Sequence, residues 1–146
     1  DVRVVRIFNT YGPRMDSDDG RVVPQFITQA LRGDPLTVYG AGSQTRSFCY
    51  VADMVRGLCA FMDSSSPYLG PINLGSQEEH TVIELACKII ALIGSKSGIN
   101  YLDLPCDDPK LRRPDLTLAK RLLGWQSSVA LDEGLKSTIA YFKEGV

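Results

Sequence analysis

Arg46 has the strongest claim to chemistry in this sequence, because of its company. It lies in Gly40-Ala41-Gly42-Ser43-Gln44-Thr45-Arg46-Ser47-Phe48, where glycines let backbone approach a ligand and Gln44 and Thr45 add donors. A guanidinium is a permanently charged, forked donor suited to phosphate or carboxylate. A lone arginine is usually a solvated surface charge, and here the glycines and neighbouring donors argue for a site. A second run is Arg6-Ile7-Phe8-Asn9-Thr10-Tyr11-Gly12-Pro13-Arg14-Met15. It reads as a strand that ends in a sharp turn. Ligands of open α/β sheets bind beyond the carboxyl ends of strands, so Asn9 and Thr10 stand where a polar contact is useful. Asn9 serves equally well as a residue that satisfies turn backbone groups. A third run, Asp107-Asp108-Pro109-Lys110-Leu111-Arg112-Arg113-Pro114-Asp115, offers two adjacent arginines. They suit an anion, or they pair with their own acids as a solvated loop.

The elements that must position these residues alternate between extended and helical patterns. Residues 2–8 are apolar and β-branched enough for a buried strand. A helix is predicted from Val22 to Arg32, with Pro24 tolerated in its first turn and Gly33 as its stop. Strands are predicted at Leu36–Tyr39, 71–74 and Ile99–Leu104, and a helix at Asp53–Met62. Thr81-x-x-Glu84 forms a capping box before Val82, Leu85, Ile89 and Leu92, and Gly94 ends that helix. Asp115 is the expected N-cap of a helix closed by Gly124. Leu131, Leu135, Ile139 and Phe142 line one face of a last helix. The expectation is an α/β chain, residues 1–146 packing as one unit, with residues 1–12 the remnant of a parallel-sheet strand and its turn.

Composition narrows the function classes. With 146 residues and a formal charge of −1, the chain has no global attraction for nucleic acid or an anionic membrane, so neither is an expected partner. No apolar run approaches the roughly 20 residues that span a bilayer. Cys49, Cys59, Cys87 and Cys106 show no Cys-x-x-Cys spacing, and His80 is the single histidine. No metal site is expected; the cysteines read as reduced thiols, which fits the cytoplasm. The opening stretch Val2–Phe8 is apolar from the start, the mark of a chain that continues a larger sheet. An apolar sheet edge left uncovered favours self-association, a homodimer among the outcomes.

Taken in order, these runs resemble the C-terminal half of extended short-chain dehydrogenases acting on nucleotide sugars, the NAD-dependent epimerase/dehydratase family. R-I-F-N-T-Y-G-P-R-M, then P-L-T-V-Y-G-x-G-x-Q-T-R-S-F, N-L-G-S-Q-E-E-H-T-V and R-x-P-D resemble UDP-glucuronate decarboxylases in particular. Related epimerases usually carry Asp after the arginine, where this chain has Ser47. The resemblance implies the last strands of a Rossmann sheet plus a small substrate-binding region. It also implies that Asn9, Gln44, Arg46 and Arg112 address the sugar and diphosphate. Val22, Val23 and Phe26 would line the nucleotide pocket, while Thr37, Val38 and Tyr39 hold uracil. Thr10 and Arg21 would face NAD. The alternatives are part of a related epimerase or dehydratase, or a non-catalytic module that binds a nucleotide sugar or a partner protein.

The implied reaction is oxidation at sugar C4 by NAD, loss of carbon dioxide from the 4-keto acid, and reduction to UDP-xylose. It needs a Gly-rich phosphate loop and a Tyr-x-x-x-Lys pair. This sequence contains neither, so no catalytic residue is assigned within it and turnover by this chain alone is not expected.

Overall fold

Short strands pair across long stretches of sequence, and the helices supply the crossovers that parallel pairing requires. The computed structural model describes residues 2–104 and 111–145. The chain runs β1 (Val5–Ile7), β2 (Thr10–Tyr11), α1 (Val22–Arg32), β3 (Leu36–Tyr39), β4 (Thr45–Ser47), β5 (Cys49–Tyr50) and α2 (Val51–Met62). It continues as β6 (Ile72–Leu74), β7 (Glu79–Thr81), α3 (Val82–Ile93), β8 (Ile99–Leu102), β9 (Leu111–Arg112), α4 (Thr117–Leu123) and α5 (Leu131–Gly145). β1 lies parallel to β6, with Val5 opposite Ile72 and Ile7 opposite Leu74. β2 is parallel to β5, and β3 to β8. β4 sits between antiparallel β7 and parallel β9.

Local sequence accounts for the helix ends. α1 stops at Gly33, whose φ of 78° is open to glycine at no steric cost; Asp34 N–H then reaches the Gln29 carbonyl at 3.0 Å. At α3 the Glu84 N–H donates to Thr81 Oγ1 at 3.2 Å and the Thr81 N–H to Glu84 Oε2 at 2.8 Å. These reciprocal bonds satisfy two donors that a helix start leaves orphaned. The N-cap of α4 is Leu116, not Asp115 as the sequence led us to expect. The Asp115 carboxylate instead accepts both the N–H and the hydroxyl of Thr117, at 2.9 and 2.6 Å, so it closes the turn that leads into the helix.

The apolar side chains divide into two clusters. Around α1, α3, α5 and β3 gather Phe26, Ile27, Leu36, Leu85, Ile89 and Leu135. Around α2, α4 and β6 gather Met54, Phe61, Ile72, Leu74, Leu116 and Trp125. Each such side chain contributes about 1.5–3 kcal/mol by leaving water. Asp53, in the first turn of α2, fastens the second cluster to the start of α5. Its buried carboxylate accepts the backbone N–H groups of Ser128 and Val129 at 2.7 and 2.9 Å. β4, β7 and β9 were not foreseen as strands, because their few residues are mostly polar or charged and become extended through their partners. Val2, Val4 and Ile7 remain exposed around β1. Among the described residues no helix is long and apolar enough to cross a membrane.

Candidate functional site

Asn9 stands where the chain changes sheets. β1 ends on β6, β2 begins on β5, and between them Asn9 takes φ 27°, a left-handed value that asparagine tolerates better than most residues. Its carbonyl accepts the Cys49 N–H at 3.1 Å, which fixes the kink. Its Nδ2 is buried and has no hydrogen-bond partner among the described residues. A sheltered amide donor without an acceptor costs about 1–3 kcal/mol, a cost that a bound acceptor would remove.

Asn9 faces a cavity of about 140 Å³. Six of the residues singled out from sequence line it: Asn9, Thr10, Arg21, Val22, Val23 and Arg46. Arg46 comes from the middle strand of the β7–β4–β9 sheet, and its Nη1 donates to the Thr45 carbonyl at 2.8 Å. Arg21 comes from the N-cap of α1, where Asp19 takes its Nε at 2.6 Å and its backbone N–H at 2.8 Å. Val22 and Val23 form the apolar wall. Tyr11, Met15 and Phe48 complete the lining and had not been named as site residues. Phe48 was discoverable, since it stands two residues beyond Arg46 in an extended segment and so shares its face. Thr10, Tyr11, Met15 and Arg21 also border a neighbouring hollow of about 410 Å³ toward Gly12–Asp16.

The other residues named from sequence lie away from this cavity. Phe26 and Val38 are buried in the larger apolar cluster. Thr37 is engaged by Gln29, which accepts its N–H at 3.1 Å and donates to its hydroxyl at 3.0 Å. Tyr39 is partly exposed, and Gln44 Nε2 donates to its carbonyl at 3.1 Å, closing the Gly40–Gly42 turn. Arg112 pairs with Arg46 across β9 and β4. Arg113 meets Glu79 of β7 at 3.3 Å, a long-range contact. Asp107 to Lys110, the acidic part of that run, lies outside the described residues.

Beneath the cavity the packing is aromatic. Tyr11 meets Phe48 and Tyr50 edge-on, at 6.5 and 5.7 Å between ring centroids, and its hydroxyl donates to the Leu131 carbonyl at 3.2 Å. Burial, with smaller contributions from Cys49 and Tyr50, raises the phenol far above its ordinary range, so it acts as a neutral donor. The buried Cys49 thiol is pushed up to about 12, first by burial and then by Asp53, and packs as a small apolar group. A second hollow, of about 360 Å³, lies near Ser76, Gln126 and Ala130. Its lysine, Lys120, is engaged with Gln77 at 3.2 Å.

Comparison with known proteins sets this geometry in a family. The model of the NAD dependent epimerase/dehydratase family matches residues 1–75. UDP-glucuronic acid decarboxylase 1 of Danio rerio is 56% identical over 142 residues, which is 97% of this chain and 34% of that protein. UDP-glucuronic acid decarboxylase 4 of Arabidopsis thaliana is 50% identical over all 146 residues and 32% of its own length. The chain thus spans about a third of the curated relatives it matches. Among solved structures, UDP-glucuronic acid 4-epimerase from Bacillus cereus, in complex with UDP-glucuronic acid and NAD, superposes with a TM-score of 0.92 at 30% identity. That match covers 99% of this chain and 46% of that one. An epimerase from Methanothermobacter thermautotrophicus gives 0.91 at 35% identity, over 97% and 43%. A cavity at the carboxyl end of a parallel strand, walled by arginines and an unpartnered amide, is therefore carried by a chain that belongs to the NAD-dependent epimerase/dehydratase family.

Proposed function

We propose that this chain is the substrate-side portion of an NAD-dependent UDP-glucuronate decarboxylase, which converts UDP-glucuronate to UDP-xylose and carbon dioxide. The observation that carries the reading is that Arg46 and Asn9 line one cavity, with the Asn9 Nδ2 buried and unpartnered among the described residues. A charged fork and a neutral donor converging on one space suit an anionic, oxygen-rich ligand such as a sugar acid diphosphate. Identity of 50–56% to decarboxylases, against 30–35% to the epimerase structures, supports decarboxylation over epimerisation.

In this reading Asn9 and Arg46 hold the sugar and its anionic groups, and Val22 and Val23 shield the apolar side of the nucleotide. Phe26 supports that wall from behind. Thr37, Val38 and Tyr39 carry the uracil end, Gln44 shapes the loop beside them, and Arg112 adds charge next to Arg46. NAD, when bound, accepts a hydride from the sugar and returns it. Thr10 and Arg21 fit its near edge, because they border both hollows at the end of β2. The Gly-rich loop and the Tyr-x-x-x-Lys pair are not in this sequence, so binding and orientation are what these residues contribute. Cys49, Cys59 and Cys87 are free thiols, which supports a reducing compartment such as the cytoplasm.

The test compares the 146-residue chain with the full-length protein that carries it. The full-length protein releases carbon dioxide from UDP-glucuronate in the presence of NAD, and the chain alone does not. Interconversion of UDP-glucuronate and UDP-galacturonate without release of carbon dioxide would establish the epimerase instead.

A further inference from the structure

The β7–β4–β9 sheet sets Arg46 directly opposite His80 on one side and Arg112 on the other. Opposed residues share a face, and in an antiparallel pair their Cβ atoms lie about 5 Å apart. Arg112, Arg46 and His80 therefore form one row, and its middle member lines the cavity. The Arg46 guanidinium is tied on one side to the Thr45 carbonyl, and its cross-strand neighbours in the row are Arg112 and His80. His80 is a firm neighbour. Its side chain is 14% exposed, and it directly precedes Thr81, which the capping box locks to α3. Glu78 Oε1 lies 3.2 Å from its Nε2, and that buried nitrogen forms no aligned hydrogen bond among the described residues. A flat aromatic ring is well suited to lie against a guanidinium plane.

We propose that His80 is a positioning residue for Arg46. The flat, polar face of the imidazole keeps the guanidinium at the cavity wall, and so sets the preference of the site for a sugar bearing a carboxylate over a neutral one. This role rests on the assignment of Arg46 as an anion contact.

The experiment is a double-mutant cycle in the full-length protein, with UDP-glucuronate and UDP-glucose titrated calorimetrically and KM and kcat measured for UDP-glucuronate. His80→Leu fills the space of the ring without its nitrogens. It weakens UDP-glucuronate binding and raises KM by about tenfold, the scale of one misplaced charge-assisted bond, while UDP-glucose affinity and kcat stay within about twofold. His80→Gln, which restores a polar side chain, recovers at least half of the lost affinity. In an Arg46→Ala background His80→Leu has no further effect. Equal losses for both sugars, or additive losses in the cycle, overturn the role. If Arg46→Ala itself leaves UDP-glucuronate binding intact, the assignment of Arg46 falls and this role falls with it. Should the leucine variant fail to fold, His80→Asn removes the ring in the same cycle.

Discussion

Asp53 and Ser128 are joined twice across the body of the protein: the Ser128 N–H donates to Oδ2 at 2.7 Å and its hydroxyl to Oδ1 at 3.1 Å. Val129 N–H adds a third bond at 2.9 Å and Arg56 an ion pair at 2.7 Å. Removing the carboxylate strands two backbone donors beside a buried space. Asp53→Ala is expected to cost about 2–4 kcal/mol, read as a lower thermal midpoint, and Asp53→Asn recovers part of it. A change within 0.5 kcal/mol, the order of an ordinary surface substitution, would show that this junction does not hold α2 to α5.

The same carboxylate makes stability depend on pH. Burial alone raises Asp53, but the bonds from Val129 and Ser128 and the charge of Arg56 outweigh it and hold the group below the usual carboxylate range. A depressed folded value means that the unfolded chain binds the proton first. The contribution is present above the ordinary carboxylate range, about pH 4, and is lost as pH falls below it. Glu84, Asp115 and Asp132 shift in the same direction, but they lie at the surface, where salt screens them. Denaturant midpoints measured from pH 6 to pH 2 should fall less steeply for Asp53→Ala than for the unsubstituted protein. Parallel curves would contradict this.

Tyr11 and Gly134 form a matched pair. A methyl group at position 134 would overlap the Tyr11 hydroxyl and its ring. Gly134→Ala should therefore destabilise by about 1–3 kcal/mol, and Tyr11→Phe, which loses the bond to Leu131, by about 1 kcal/mol. Because the second change removes the nearest of the atoms the first collides with, the double variant should lose less than the two losses combined. Additivity in chemical denaturation would disprove the fit.

The Thr81 cap gives a local test. Thr81→Ala removes the acceptor for the Glu84 N–H and should lower stability by about 1 kcal/mol. Hydrogen exchange should quicken first in the opening turn of α3. An unchanged exchange rate there would mean that tertiary packing alone holds this end.

Arg46 separates binding from general charge. In the full-length protein Arg46→Ala should weaken UDP-glucuronate by about ten- to a hundredfold, as expected for lost hydrogen bonds from a charged group. Lys143→Ala, on the exposed face of α5, should leave affinity within about twofold. Equal effects of the two substitutions would remove Arg46 from the site.

The sequence by itself determined where the helices lie and several of their ends, because those signals are local, although it placed the starts of α2 and α4 off by one or two residues. The Thr81–Glu84 box and the glycines at 33, 94 and 124 act within one turn of chain, so their spacing can be read without knowing the fold. It also pointed to Asn9, Thr10, Arg21, Val22, Val23 and Arg46, which line one cavity in the folded protein. Tertiary structure alone decided what surrounds them. The strands at 45–47, 79–81 and 111–112 exist through their partners, so nothing in their own residues announced the row of Arg112, Arg46 and His80. The engagement of Thr37 by Gln29 and the reach of Asp53 to Ser128 likewise depend on chain segments that only folding brings together. A capping bond spans a single turn of chain, whereas a cross-strand neighbour is chosen by the whole packing of the molecule.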